Sequence, residues 1–124
     1  MNERCRVLIA DDTADIRLLL RLTLEHDGRF DVVGEAADGV EAVRLAFEAD
    51  PDAIILDLAM PILDGLGAIR EIIGQRPDAK ILVLSSFDAE RCSHKALELG
   101  ASAYFEKSTD LERVADALAE LCAA

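Results

Sequence analysis

Five short apolar runs, each followed by a segment with helical spacing, constrain this chain more than any other feature of its sequence. Arg6 to Ala10 (RVLIA) is apolar almost throughout and stops at two aspartates, as a strand buried on both faces would. Asp15 to Glu25 carries leucines on several faces with arginines between them. His26-Asp27-Gly28 ends that helix, with Gly28 in the place of a C-terminal cap. Phe30 to Ala36 puts Phe30, Val32, Gly34 and Ala36 on one side, the period-two pattern of an edge strand. Asp38-Gly39 opens a second helix whose apolar stripe is Val40, Val43 and Phe47, and Pro51 stops it.

The rest of the chain repeats the scheme. Ala53 to Leu58 is a third strand, apolar except for Asp57, and a turn-rich loop (Met60-Pro61, Asp64-Gly65) leads into a helix with Leu66, Ile69 and Ile73 inward. Pro77-Asp78 ends it. Lys80 to Leu84 (KILVL) is a fourth strand, Ala89 to Leu99 a fourth helix terminated by Gly100, and Ala103 to Phe105 a short fifth strand. Leu111, Val114, Ala115, Leu118 and Leu121 stripe a last helix. Strict alternation with short connections predicts an α/β fold on a parallel sheet. The first, third and fourth runs are apolar on both faces and belong at the centre, while the second and fifth belong at the edges. The strand order 2-1-3-4-5 satisfies this, which is the flavodoxin-like, doubly wound (βα)5 arrangement.

Composition narrows the function classes. With 124 residues, 52% of them apolar, the chain reads as one domain, residues 1–124, able to bury a core. A formal net charge of −12 repels phosphate backbones and anionic lipid, so direct binding of nucleic acid or membrane by this domain is not expected. Three cysteines, Cys5, Cys92 and Cys122, lack CxxC spacing in a chain large enough to fold without staples. They read as structural or incidental, and a reducing cytoplasm is the expected location. The opening apolar run is too short for a signal peptide core or a membrane span.

In an open parallel sheet, ligands bind outside the carboxyl ends of the strands. The first run ends in Asp11-Asp12, the third in Asp57, the fourth in Ser85-Ser86, and the fifth leads to Lys107. The strand order brings the first, third and fourth side by side, so these groups should converge. Three carboxylates in one pocket repel unless a cation neutralises them, and an oxygen-only donor set suits Mg²⁺. Asp12 taken alone reads equally as the cap of the following helix. An aspartate such as Asp57 can act as a nucleophile toward phosphorus, a serine such as Ser85 can donate to a phosphoryl oxygen, and Lys107 can supply a positive point charge. Each has a bland alternative as a turn, loop or surface residue. Their conjunction favours the functional reading. His26 and His94 lack metal-ligand spacing and are expected on exposed helix surface.

LIADD, LDLAMPILDG, LVLSSF and ASAYFEKS, in this order, resemble the four signature segments of CheY-like response-regulator receiver domains of two-component systems. The resemblance runs from about Arg6 to the last helix. GEAADG and the serine-rich LSS are similar to the NarL/FixJ-type subgroup. The resemblance implies that Asp57 accepts a phosphoryl group from a phosphohistidine on a sensor histidine kinase. Asp12 and Asp57 would ligate Mg²⁺ with the backbone carbonyl of Ala59, and Asp11 would hold the metal directly or through water. Lys107 would contact the phosphoryl group. Ser85 and Tyr104 would act as the switch, with the loop Ser85 to Asp88 moving and the face of helix four, strand five and helix five changing its partner preference. The implied partners are the kinase and a second copy of the chain on phosphorylation. The output would be transcription through a helix-turn-helix domain, none of which lies in this chain.

Two positions depart from the family pattern. Ser108 stands where many receivers carry proline, and Ala59 cannot orient an attacking water. The rival readings are a haloacid-dehalogenase-type phosphatase, which wants an aspartate where Ala59 stands, and a phosphate-independent pseudo-receiver, which normally lacks one of the acidic pair, the acceptor or the lysine. A dinucleotide-binding domain is disfavoured because no GxGxxG follows the first strand.

Overall fold

The computed structural model describes residues 4–86 and 89–123, the side chains of residues 89–91 excepted. The elements alternate as β1 (Cys5–Ala10), α1 (Ala14–Asp27), β2 (Phe30–Ala36), α2 (Gly39–Glu48), β3 (Ala53–Leu56), α3 (Gly65–Gln75), β4 (Ile81–Ser85), α4 (Ala89–Glu98), β5 (Ala103–Glu106) and α5 (Leu111–Ala123). All strand pairs are parallel and the order is β2-β1-β3-β4-β5, the flavodoxin-like arrangement expected from the alternation.

The sheet has an apolar layer on each face. Val7, Ile9, Ile55, Leu82 and Leu84 pack with Leu20 and Leu24 of α1 and Val114, Ala115 and Leu118 of α5. Leu8, Ala10, Ile54, Leu56, Ile81 and Val83 pack with α2, α3 and α4 through Ala42, Ala46, Ala68, Ile69, Ile72 and Ala96. Each central strand therefore sends alternate side chains into two cores, which is why these runs are apolar without interruption. Burying a Leu or Ile side chain stabilises by roughly 1.5–3 kcal/mol, so the central strands anchor the fold.

The structure corrects two details of the sequence reading and settles a third. In β2, Val7 pairs with Val32 but Leu8 pairs with Gly34, so Val33 is an extra residue in the register. Phe30 and Val32 consequently pack on the α1/α5 side and Ala36 on the other, and the single alternating face does not hold through the bulge. In α2 the buried residues are Gly39, Ala42 and Ala46, while Val40 is exposed and Val43 only flanks the core. Small residues let this helix sit close to the sheet, and the larger apolar side chains splay to its sides. Of the two readings left open for the cysteines, Cys5 and Cys122 take the structural one. The sulfurs of Cys5 and Cys122 are in bonding contact, joining β1 to the last turn of α5 across 117 residues with Cα atoms 6.0 Å apart. Proximity at one sheet edge brings them together, and no spacing signal could reveal it. Cys92 is free.

Other expectations hold. Gly28 and Gly100 end α1 and α4 with φ of 89° and 116°, the left-handed region that favours glycine. His26 and His94 are exposed, the latter 3.1 Å from Glu98 on its own helix. Among the described residues no helix is long and apolar enough to cross a membrane.

Gly65, the first residue of α3, has no space for a side chain: a Cβ there would overlap the Asp57 carbonyl oxygen and the Leu58 Cα. Backbone cannot yield as a flexible side chain does. Gly65→Ala is expected to destabilise by about 1–3 kcal/mol in urea unfolding. Gly74, in the same helix with nothing within 4 Å of its Cβ position, is the control. Gly74→Ala is expected to stabilise by about 0.5–1 kcal/mol.

Candidate functional site

Backbone pairing continues one residue past the strands and fixes the charged residues there. The Asp11 amide donates to the Ala36 carbonyl at 3.0 Å, the Asp57 amide to the Ala10 carbonyl at 2.9 Å, and the Lys107 amide to the Ser85 carbonyl at 2.9 Å. Asp57 is thereby set beside Asp11, and Lys107 beside Ser85. The Gly65 amide donates to the Leu58 carbonyl at 2.9 Å, and Asp64 caps α3 by accepting from the Gly67 amide at 2.8 Å. The loop after β3 is thus closed directly under Asp57.

The side chains converge as their positions at the strand ends require. One carboxylate oxygen from each of Asp11, Asp12 and Asp57 lies within 4.8 Å of the others. Asp11 and Asp57 are each 2% exposed, whereas Asp12 faces solvent. The Lys107 ammonium stands 2.8 Å from Asp11 Oδ2 and 3.3 Å from Asp57 Oδ2. Asp11 Oδ1 accepts from the Thr13 amide at 2.9 Å, and Asp57 Oδ1 accepts from the Ala59 amide at 3.3 Å. The cap position of α1 belongs to Thr13, so Asp12 is not the cap residue. Ser85 is fully buried at the end of β4. Tyr104 is half-buried in β5, paired with Val83 and packed on the α2–α4 side of the sheet. Of the expected switch loop, Phe87 and Asp88 lie outside the described residues.

Burial pushes the Asp57 carboxyl above its ordinary range, and the neighbouring Asp11 charge adds to this; Lys107 and the Ala59 amide oppose it without cancelling it. For Lys107, burial alone would weaken proton binding. The hydrogen bond to Asp11 and the charges of Asp57 and Asp11 outweigh that, and the ammonium holds its proton more tightly than usual. One lysine faces three carboxylates, so the pocket carries excess negative charge. Its donors are all oxygen, the preference of a hard divalent cation, and the group fits Mg²⁺ in type and number while leaving coordination positions open.

Two features of the site escaped the sequence reading. Arg17 of α1 donates through Nη1 to the Asp11 carbonyl at 2.7 Å, and its Nε pairs with Glu35 of β2 at 3.2 Å. In sequence Arg17 looks like any solvated helical arginine, and nothing in its spacing separates it from Arg21. Ile62, at φ 71° and 81% exposed, forms a tight turn in which the Leu63 amide donates to the Pro61 carbonyl at 2.8 Å. A β-branched residue in that region is strained, and its identity gives no hint of the turn.

Residues 7–119 match the response regulator receiver domain family. The transcriptional regulatory protein LiaR of Bacillus subtilis is 41% identical over 113 residues, covering 91% of this chain and 54% of LiaR. The chain therefore spans about half the length of this relative. A LuxR-family two-component response regulator from Aurantimonas sp. SI85-9A1 superposes with a TM-score of 0.92 at 34% identity, covering 98% of this chain and 86% of that one. The signal receiver domain of the response regulator NarL from Mycobacterium tuberculosis gives a TM-score of 0.93 at 28% identity, with 98% of each chain covered. These similarities agree with a NarL/FixJ-type subgroup. With its strand order, its acidic pocket and its facing lysine, the chain belongs to the response-regulator receiver domain family.

Proposed function

We propose that this chain is a phosphorylation switch in which Asp57 accepts a phosphoryl group from a phosphohistidine of a sensor histidine kinase. The observation that carries this reading is the convergence of Asp11, Asp12 and Asp57 within 4.8 Å, with the Lys107 ammonium against two of them. A carboxylate oxygen of Asp57 attacks phosphorus. The P–O bond forms as the P–N bond breaks, and the electron pair leaves on the imidazole nitrogen. Mg²⁺, held by the carboxylates of Asp12 and Asp57 and the Ala59 carbonyl, with Asp11 direct or through water, would neutralise charge on the pocket and the transferring oxygens.

The chain's own residues do the rest. Lys107 keeps its proton and offers a point charge beside the acceptor. Ser85, set at the end of the adjacent strand, donates its hydroxyl to a phosphoryl oxygen after moving toward it. Tyr104 turns inward behind it. The added charge and acceptor oxygens favour that arrangement alone, and the α4-β5-α5 face changes with it. The chain catalyses only its own phosphorylation and dephosphorylation. Ala59, small and apolar, supplies no general acid, which weighs against the phosphatase reading, and the complete set of Asp11, Asp12, Asp57 and Lys107 weighs against a pseudo-receiver.

The similarity to LiaR and to LuxR-family regulators supports transcription as the output, through a helix-turn-helix domain in a longer protein. A net charge of −12 leaves DNA contact to that separate domain, and phosphorylation would promote pairing with a second copy. The cytoplasm is the compartment where the kinase would be met. A reducing thiol pool there acts on the Cys5–Cys122 pair. That pair lies at the opposite end of β1 from Asp11, about 20 Å of strand away, so the switch is proposed to work with or without the bond.

Incubation with acetyl phosphate and intact-mass measurement tests the reading. One phosphoryl mass is expected in the presence of Mg²⁺, absent in Asp57→Ala and absent with EDTA. A folded wild-type chain that takes no phosphoryl group, from acetyl phosphate or from a cognate kinase, would overturn it.

The raised Asp57 pKa gives a second prediction. Its folded-state value lies above the unfolded one, so the ionised group costs stability at neutral pH. That cost grows as pH rises from the ordinary value of 3.8 through the folded value, and vanishes below 3.8. In EDTA at pH 7, Asp57→Asn is expected to be more stable than wild type by on the order of 1 kcal/mol in denaturant unfolding. The gap should close as pH falls toward 3.8.

A further inference from the structure

Asp11 is held at every polar atom. Its amide donates to Ala36, its Oδ1 accepts from Thr13, its Oδ2 meets Lys107, and its carbonyl accepts from Arg17 Nη1 at 2.7 Å. The last contact differs in kind from the others. The Asp11 carbonyl belongs to the peptide plane that joins Asp11 to Asp12, so the group that fixes this oxygen also fixes the direction in which Asp12 leaves the chain. Asp12 itself is exposed and lacks the packing that orients Asp11.

Arg17 is equipped to hold that peptide. Its side chain is 19% exposed, and Nε is fixed by Glu35 Oε1 at 3.2 Å. Glu35 is engaged in turn through Oε2 by Arg21 Nε at 2.6 Å. Glu35 also stands beside Ile9 in the sheet, one residue before the Ala36 that receives the Asp11 amide. A rigid guanidinium fork thus spans α1, β2 and the end of β1, with two of its donors used on different partners.

We propose that Arg17 is a positioning residue for the divalent-cation site, held in place by Glu35 and Arg21, and that it sets cation affinity by orienting the Asp11–Asp12 peptide. This rests on the acidic pocket being a cation site, as proposed above. Arg17 also carries a positive charge, which makes the test sharp, because position and charge act in opposite directions on a bound cation. If Arg17 were only a nearby charge, its removal would lessen repulsion and tighten cation binding. If it orients the peptide, removal loosens binding, by roughly 10-fold on the scale seen when groups behind metal ligands are lost.

The experiment is Mn²⁺ titration of the unphosphorylated protein, followed by electron paramagnetic resonance of the free ion, with Mg²⁺ competition. Wild type, Arg17→Ala, Arg17→Lys and Glu35→Gln are compared, and circular dichroism establishes that each is folded. Arg17→Ala is expected to bind roughly 10-fold more weakly. Arg17→Lys should recover part of the loss, since one donor reaches the carbonyl without the fork to Glu35. Glu35→Gln should fall between wild type and Arg17→Ala, and it carries the test if Arg17→Ala fails to fold. Equal or tighter binding by the folded variants overturns the inference while leaving the cation site intact. A wild type without saturable Mn²⁺ binding, matched by Asp12→Asn, overturns the cation site and this inference with it.

Discussion

Asp57 ends an apolar strand with Asp11 beside it, and both carboxylates are almost wholly withdrawn from water. Their negative charges repel each other across the pocket. Lys107, touching both, offsets part of the cost, but Asp12 adds a third carboxylate to the same pocket. The pocket is left with excess negative charge, which a divalent cation would offset. That imbalance is what the proposed cation and phosphoryl group would act upon.

Maintaining such a pocket demands a stiff frame, and the frame is the parallel sheet. Aliphatic strands supply two cores and hold the sheet in register, and the pairing runs one residue past β1, β3 and β5 to fix Asp11, Asp57 and Lys107. Gly65 lets α3 begin against the Asp57 carbonyl, and Arg17 ties α1 to the acidic pair. The apolar layers and the charged edge are therefore one structure. Loosening the strands would separate charges whose value depends on being within a few ångströms of each other.

Much of this was legible in the sequence because it follows from periodicity. The uninterrupted runs at Val7–Ala10, Ile54–Leu56 and Ile81–Leu84 fit central strands, and the order that satisfies this brings the aspartates together. What was not legible depends on three-dimensional proximity or on an insertion within a regular pattern. The bulge at Val33 leaves a perfect alternation in the sequence while reversing the face in space. The stripe of α2 was misread because close packing selects Ala42 and Ala46 over the larger Val40 and Phe47. Cys5 meets Cys122, and Arg17 meets Glu35, through folding at long and moderate separation, and neither pair announces itself by spacing.

Asp57, Lys107 and Ser85 are proposed to receive one tetrahedral anion together, over a cation held by the acidic pocket. A crystal structure of the protein with Mg²⁺ and beryllium trifluoride, a stable mimic of a phosphoryl group on a carboxylate, tests it most directly. Beryllium is expected on an Asp57 oxygen, its fluorides contacted by the Lys107 ammonium and the Ser85 hydroxyl, with Mg²⁺ ligated by Asp12, Asp57 and the Ala59 carbonyl. Beryllium bonded to another carboxylate, or fluorides out of reach of Lys107, would contradict it.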